Sequence, residues 1–339
     1  MTQRETKLAE FIAASGWGSA DRKVIAGDAS NRRYLRLTRS SGATAILMDA
    51  PPEKGEDVQP FLDIARHLTA QGLAAPDILS ADTDAGFLLI EDLGDDLFAR
   101  VLDHLPSAEK RLYTAATDVL LHLHDAPLPE GVPTYSVGLM ADLAALACDW
   151  YASGLGAEDT DGRQRLHDAM AGALALLDGL DEVLILRDYH AENLLWLPDR
   201  PGLRKVGLLD FQDAMRGHRA YDLVSLLQDA RRDVSRDTEI LMITHYVDHW
   251  GGNPASFDTA YHVLGTQRNL RILGVFARLC LRDGKAHYLD LIPRVWGYLI
   301  RDLDHAALGP LRAIVHEILP PPTETVLQRL KSKCATRST

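Results

Sequence analysis

The chain has 339 residues, 46% hydrophobic and 25% charged, with a net charge of −12 at neutral pH. This is the composition of a water-soluble globular protein, and at ~150 residues per domain it allows about two domains or one two-lobed body. An acidic balance argues against a general nucleic-acid partner, no apolar run approaches the ~20 residues of a membrane span, and Met1 to Ser15 contains no signal-peptide core.

In chain order, Thr6 to Ser15 is predicted as a short amphipathic helix stopped by Gly16 and Gly18. Strands follow at Lys23 to Ala26, Arg33 to Arg39 and Ala43 to Asp49, the last two forming a hairpin through Ser40-Ser41-Gly42. Pro51-Pro52 ends this run, Val58 to Ala70 reads as a helix, and Phe87 to Ile90 reads as a buried strand leading into Glu91-Asp92-Leu93-Gly94. Beyond Gly94 the pattern turns helical, with helices expected at about 107–124, 137–152, 162–178, 219–231, 236–250, 256–282 and 285–304. A β island interrupts them at Val183 to Arg187, Leu194 to Leu197 and Val206 to Asp210. Pro320-Pro321-Pro322 sets off a last short helix and a tail ending KSKCATRST that is expected to be frayed. The expected organisation is a small β-rich lobe at 1–90, a hinge at 91–94, a larger helical lobe at 95–319 and a tail at 320–339. A cleft between two lobes is where a small ligand binds.

The polar residues cluster in the β island. The strand VLILR releases Asp188 into a loop, with Asn193 five positions on, and the strand VGLL releases Asp210. Two strand ends of one small sheet then present two carboxylates and an amide. Phosphoryl transfer from ATP uses such a set: one carboxylate to deprotonate an attacking hydroxyl, and a second with an amide oxygen to hold Mg²⁺. Asp188 is the expected base, and Asn193 and Asp210 the expected metal ligands. Asp222, at a helix start, is expected to cap that helix or brace the loop. His122 and His124 are expected in surface or packing roles, because two residues apart on a helix they face different ways.

These residues carry a resemblance. Leu186-Arg187-Asp188 with Asn193 is similar to the kinase catalytic loop, and Asp210-Phe211-Gln212 to the D-F-G motif. The segment Leu209 to Ala214, the helix start Tyr221-Asp222-Leu223, and Gly27-Asp28-Ala29-Ser30-Asn31-Arg32-Arg33-Tyr34 together resemble the aminoglycoside phosphotransferase/choline kinase family. The runs ILMDAPPE, SNRRYLRL and DLVSLLQDAR look like its bacterial cell-wall sugar kinases, which phosphorylate the anomeric hydroxyl of N-acetylmuramate and N-acetylglucosamine in peptidoglycan recycling. The resemblance implies an α+β, bilobal protein-kinase-like fold, with ATP and Mg²⁺ as cofactors and an amino sugar as partner. It also implies a cytoplasmic protein that meets no nucleic acid or membrane and is favoured as a monomer. Cys148, Cys280 and Cys334, odd in number and without metal or disulfide spacing, agree with a reducing compartment.

The implied ATP contacts are Ser30, Asn31, Arg32, Arg33, Met48, and the backbone of Glu91 and Leu93 against adenine. The implied substrate contacts are Arg187, His190, Glu192, Gln212 and Asp213. The sequence departs from the family at the strand lysine that contacts the phosphates, whose place falls at Leu47 or Met48. Arg33 is the expected replacement, with Arg32 and Lys54 as alternatives. Arg216, Arg219, Arg231 and Arg232 read mostly as solvated charges, one of which could meet the lactyl carboxylate of N-acetylmuramate. The alternatives at this stage are a kinase of the same fold acting on an aminoglycoside, choline or a homoserine-like substrate, and a nucleotide-binding pseudokinase.

Overall fold

The computed structural model describes residues 2–25, 31–157, 159–177 and 182–337. In chain order the elements are α1 (Gln3–Ala14), β1 (Asp21–Ile25), β2 (Arg33–Thr38), β3 (Thr44–Asp49), α2 (Gln59–Ala70), β4 (Ile78–Asp82), β5 (Phe87–Glu91), α3 (Phe98–His104), α4 (Glu109–Asp125), α5 (Val137–Leu146), α6 (Thr160–Leu174), β6 (Glu182–Ile185), β7 (Leu194–Trp196), β8 (Val206–Leu208), β9 (Met215–His218), α7 (Ala220–Leu227), α8 (Arg236–Trp250), α9 (Pro254–Leu281), α10 (Ile292–Leu303), α11 (Gly309–Ile318) and α12 (Glu324–Lys331). They form two units, one of residues 1–129 with 191–214 and one of residues 130–190 with 215–339. The class is α+β, with an antiparallel sheet near the N-terminus and a mostly helical remainder.

In the first unit, the sheet runs β1-β2-β3-β5-β4, each pair antiparallel. Side chains alternate along these strands, so one face of the sheet can be greasy and the other functional. Leu37 of β2, Ala45 and Leu47 of β3, and Phe87 and Leu89 of β5 pack with Leu8 and Ile12 of α1 and with Trp17. Leu8 and Ile12 meet that core together because residues four apart share a helix face. A capping box starts α1: Glu5 N–H donates to Thr2 Oγ1 and Thr2 N–H donates to Glu5 Oε2. Gly86, at φ 70°, turns the chain between β4 and β5, and a Cβ there would lie 2.0 Å from the Ala50 carbonyl oxygen. The β7–β8 hairpin belongs to this unit, bridged to Ala74 through Gly207 and to Leu97 through Leu195.

The second unit is organised around α9, 28 residues long and capped by Asn253, whose Oδ1 accepts from Ala255 and Ser256 N–H, with Pro254 at its first position. α5, α7 and α10 pack along it. Gly274 permits the approach of α5, since a Cβ there would lie 2.3 Å from the Leu146 carbonyl carbon.

Several expectations change. β4 was not foreseen, because ILSAD offers only two adjacent apolar residues before its polar ones. The expected 137–152 helix ends as α-helix at Leu146 and widens into a π turn at Ala147–Ala152. The β island is two separate pairs, β6 with β9 and β7 with β8, rather than one sheet. The expected last short helix is α12, where Leu330 is fully buried and Arg329 donates to the Leu155 carbonyl (2.7 Å), but the tail after it, described to residue 337, is not frayed: Lys333 donates to the Gly154 carbonyl (2.7 Å) and Arg337 to that of Ser153 (2.9 Å).

Candidate active site

The first unit contains a cavity of about 340 Å³, a size that suits a cofactor or drug-sized ligand. Strand register builds its wall. Tyr34 pairs with Met48 and Arg36 with Ile46, and all four side chains line the cavity. Arg33, one residue off that alternation, is not among the lining residues. Its guanidinium binds Asp49 (2.5 Å), a fully buried carboxylate that Arg4 of α1 also holds (2.5 Å). The arginine on the wall is Arg36, tied to Asp92 (2.7 Å) and Asp95 (2.7 Å).

Arg32 is anchored differently. Its Nε donates to Glu56 Oε2 at 2.8 Å, while Glu56 Oε1 accepts from Asn31 N–H at 3.1 Å. Burial acts to lower the Arg32 pKa, but Glu56 and Tyr34 hold it above its ordinary value. Burial raises the Tyr34 phenol, with the Asp210 carboxylate adding to the rise, so Arg32, Tyr34 and Asp210 share one electrostatic neighbourhood. Asn31 Nδ2 also donates to the Lys54 carbonyl (3.4 Å). Ser30 and the preceding Gly27-Asp28-Ala29 lie outside the described residues.

At the far end of β5, Glu91 and Leu93 line the same cavity. The Glu91 N–H already donates to the Asp77 carbonyl (2.8 Å), and its carboxylate accepts from Arg200 (2.5 Å). Leu93 N–H makes no hydrogen bond among the described residues.

Asn193 and Asp210 sit at the ends of the β7–β8 hairpin. Leu209 N–H donates to the Asn193 carbonyl (3.0 Å), and Asn193 Nδ2 lies 3.4 Å from Asp210 Oδ2. Gln212 Nε2 donates to Asp210 Oδ1 at 2.8 Å. All three line the cavity. Phe211, between them, is fully buried and stacks on Phe61 of α2 (centroids 4.8 Å apart), which pins the loop from behind. Asp210 has φ 57°, a left-handed conformation that a side-chain-bearing residue adopts only where its surroundings impose it. Asp213 is exposed. No group of three or more His, Cys, Asp or Glu side chains that could hold a metal occurs among the described residues. One carboxylate and one amide oxygen nonetheless fit Mg²⁺, a hard cation usually held by one or two protein ligands plus substrate phosphates.

In the second unit, Arg187 and Asp188 follow β6. Arg187 is the other left-handed residue of these loops, at φ 69°. Asp222, at the start of α7 and wholly buried, accepts from Leu186 N–H (2.6 Å) and Arg187 N–H (2.8 Å), and Ser225 Oγ donates to the Arg187 carbonyl (3.1 Å). Asp222 thus braces the loop rather than meeting a ligand. Burial pushes its carboxyl up to about 7 against those two backbone bonds, with the Asp188 charge adding to the rise.

Burial also acts to raise the Asp188 carboxyl, but Arg271, His190, Arg268 and Arg187 hold it below its ordinary value. It is ionised at neutral pH, as a proton acceptor must be. His190 is buried and its pKa pushed down to about 4 by that burial, so it is neutral there. The Arg187 guanidinium lies over the Tyr135 ring (5.2 Å), and Glu192 is exposed in the segment leading to Asn193. Of the expected substrate contacts, then, Arg187 and His190 share the unit of Asp188, and Gln212 attends the Asp210 carboxylate. The residues missing from the sequence reading are Arg268 and Arg271 of α9. Two arginines three apart on a long core helix were the available signal.

The profile of the phosphotransferase enzyme family matches residues 21–259. The chain belongs to the phosphotransferase enzyme family. This phosphotransferase is 37% identical to an N-acetylmuramate/N-acetylglucosamine kinase of Caulobacter vibrioides over 94% of this chain and 98% of that relative. It is 35% identical to a kinase of the same name from Neisseria meningitidis serogroup B, over 94% of this chain and 96% of the relative. Among solved structures, the choline kinase LicA of Streptococcus pneumoniae matches the phosphotransferase with a TM-score of 0.62 at 14% identity, covering 88% of this chain and all (100%) of that one. At that identity the likeness shows a shared fold.

Proposed function

We propose that the chain is an ATP-dependent kinase that phosphorylates the anomeric hydroxyl of N-acetylmuramate and N-acetylglucosamine, in the cytoplasm and in the service of peptidoglycan recycling. The observation that carries the chemistry is the cavity that ends on Asn193 and Asp210. The names of relatives similar over nearly the whole chain support the acceptor. The free thiols of Cys148, Cys280 and Cys334 agree with a reducing compartment.

In this reading adenine lies at the Glu91–Leu93 end. Leu93 supplies the backbone donor, because the Glu91 N–H is engaged by Asp77. Met48 and Ile46 supply the apolar wall, and Asn193 and Asp210 hold Mg²⁺, which when bound neutralises charge on the phosphates. Arg32, held in place by Glu56, is the cation that stands in for the absent strand lysine; Arg33 is committed to Asp49. Asp188 accepts the proton of the sugar hydroxyl as its oxygen bonds to the γ-phosphorus. The bond from that phosphorus to the β–γ bridging oxygen breaks, ADP leaves, and the proton passes from Asp188 to water.

The test is ATP consumption with Mg²⁺ over N-acetylmuramate, N-acetylglucosamine, kanamycin and choline, with the product identified as a sugar 1-phosphate. Turnover on kanamycin or choline alone would move the reading to another kinase of the fold. Mg·ATP binding without turnover on any of them would favour the pseudokinase.

A further inference from the structure

Two arginines of α9 belong to the surroundings of Asp188. Arg268 and Arg271 lie three residues apart on α9, hence on one helix face, and both act on the Asp188 carboxylate. Neither has a carboxylate within ion-pair distance among the described residues. Arg268 is buried, 4% exposed, and its Nη1 donates to the Gln228 carbonyl (3.3 Å). Arg271 is half-buried, and among the described residues its hydrogen bond is to the Tyr221 hydroxyl (3.3 Å).

Removing a guanidinium from water without a paired anion is costly, and a surface stripe would carry it at no such cost. Tyr135 and Tyr221 stand edge to face beside Arg271 (centroids 5.3 Å apart), and burial raises the Tyr135 phenol, which keeps it neutral. The Tyr221 hydroxyl therefore orients Arg271 through a hydrogen bond. Asp188 is the carboxylate that Arg187, Arg268 and Arg271 share, and Asp229 and Asp222 also act on Arg268. That leaves Arg271, held by a phenol, as the guanidinium placed to meet a further anion.

We propose that Arg271, backed by Arg268, is the residue that reads the lactyl carboxylate of N-acetylmuramate, the group that N-acetylglucosamine lacks. This rests on the amino-sugar reading above. Groups that surround the acceptor's base face the acceptor, and a planar guanidinium suits a carboxylate through paired hydrogen bonds. Two of the arginines considered from sequence are engaged elsewhere. Arg216 pairs with Glu182 (3.5 Å), and Arg219 Nη1 donates to the Tyr246 hydroxyl (3.2 Å) with its guanidinium over Trp250 (4.7 Å).

The experiment compares N-acetylmuramate, its methyl ester and N-acetylglucosamine as acceptors for the wild type, Arg271→Gln and Arg271→Lys. A charge-assisted hydrogen bond predicts that the wild type loses about 10- to 100-fold in kcat/KM from acid to ester. Arg271→Gln should lower the ratio of N-acetylmuramate to N-acetylglucosamine turnover by about the same factor and treat acid and ester alike, and Arg271→Lys should recover part of the ratio. Equal turnover of acid and ester by the wild type overturns the inference, and this arm needs no variant to fold. Equal losses on all three acceptors in Arg271→Gln also overturn it, since the charge would then serve Asp188 or the transferred phosphoryl group. A wild type inactive on all three acceptors overturns the amino-sugar reading itself, and this inference with it.

Discussion

Replacing Asp222 by alanine removes the acceptor of two backbone donors, Leu186 N–H at 2.6 Å and Arg187 N–H at 2.8 Å. Each buried donor left unsatisfied costs about 1–3 kcal/mol, so the gross loss is about 2–6 kcal/mol. The carboxyl it removes is itself expensive to ionise. Folding raises its pKa from 3.8 to about 7, so the folded state keeps a proton that the unfolded chain has released. The linked stability is fully present below the unfolded value and is lost as pH rises through the folded one. From about pH 5 to about pH 8 the wild type should therefore lose roughly 2–3 kcal/mol that the alanine variant does not. The destabilisation by Asp222→Ala is consequently larger at the lower pH. Urea unfolding at the two pH values reads this difference.

Catalysis should fall at both. Arg187 keeps its left-handed φ of 69° only under that brace, and Asp188 is the next residue. Misplacing a reacting group by about 1 Å costs about 10²-fold in kcat. The KM for ATP should hold, because the nucleotide cavity is built from the other unit. A stability loss independent of pH, or an unchanged kcat, would refute this account of Asp222.

Asp188→Asn should lower kcat by about 10²–10⁴-fold with ATP affinity retained, as measured by steady-state kinetics and calorimetry. Because Asp188 is held below its ordinary value, the wild-type kcat profile should show no acidic limb from this group near neutral pH. Asp210→Ala should abolish Mg²⁺-dependent ATP binding, and an unchanged Mg·ATP affinity would remove it from the metal site. Arg32→Ala should raise the ATP KM by about tenfold, as expected for a lost charge-assisted bond, whereas Arg33→Ala should act on thermal stability through Asp49. The reverse pattern would restore Arg33 as the phosphate cation.

The parts of this molecule that sequence discloses are those written in local patterns. The β2–β3 hairpin follows from alternation around Ser40-Ser41-Gly42, and α8 runs over Arg236–Trp250 as its periodicity indicates. The loops of Asp188, Asn193 and Asp210 show themselves because a strand must end for a carboxylate to be released. What stays hidden depends on partners distant in the chain. Arg33 and its neighbour Arg32 are both candidates from sequence, and only distant partners decide that Arg33 meets Asp49 while Arg32 is held by Glu56. Arg268 and Arg271 read as blemishes on a core helix until α9 is placed beside Asp188. The pairing of β6 with β9, rather than with its neighbour in sequence, depends on a strand whose MRGH has no β signature.

The first unit is discontinuous, since residues 191–214 complete what residues 1–129 begin. This sets an order of maturation during synthesis. The N-terminal sheet can form as soon as it emerges, but the hairpin that brings Asn193 and Asp210 waits until residues 130–190 have left the ribosome. A nascent chain thus has no finished Asn193–Asp210 end to this cavity until the segment bearing Asp188 has already emerged. A contiguous N-terminal fragment that stops before Asp188 also lacks residues 191–214, which complete the first unit. Division of the gene at any single point will therefore not yield the two units as separate proteins; that requires joining 1–129 to 191–214 and 130–190 to 215–339.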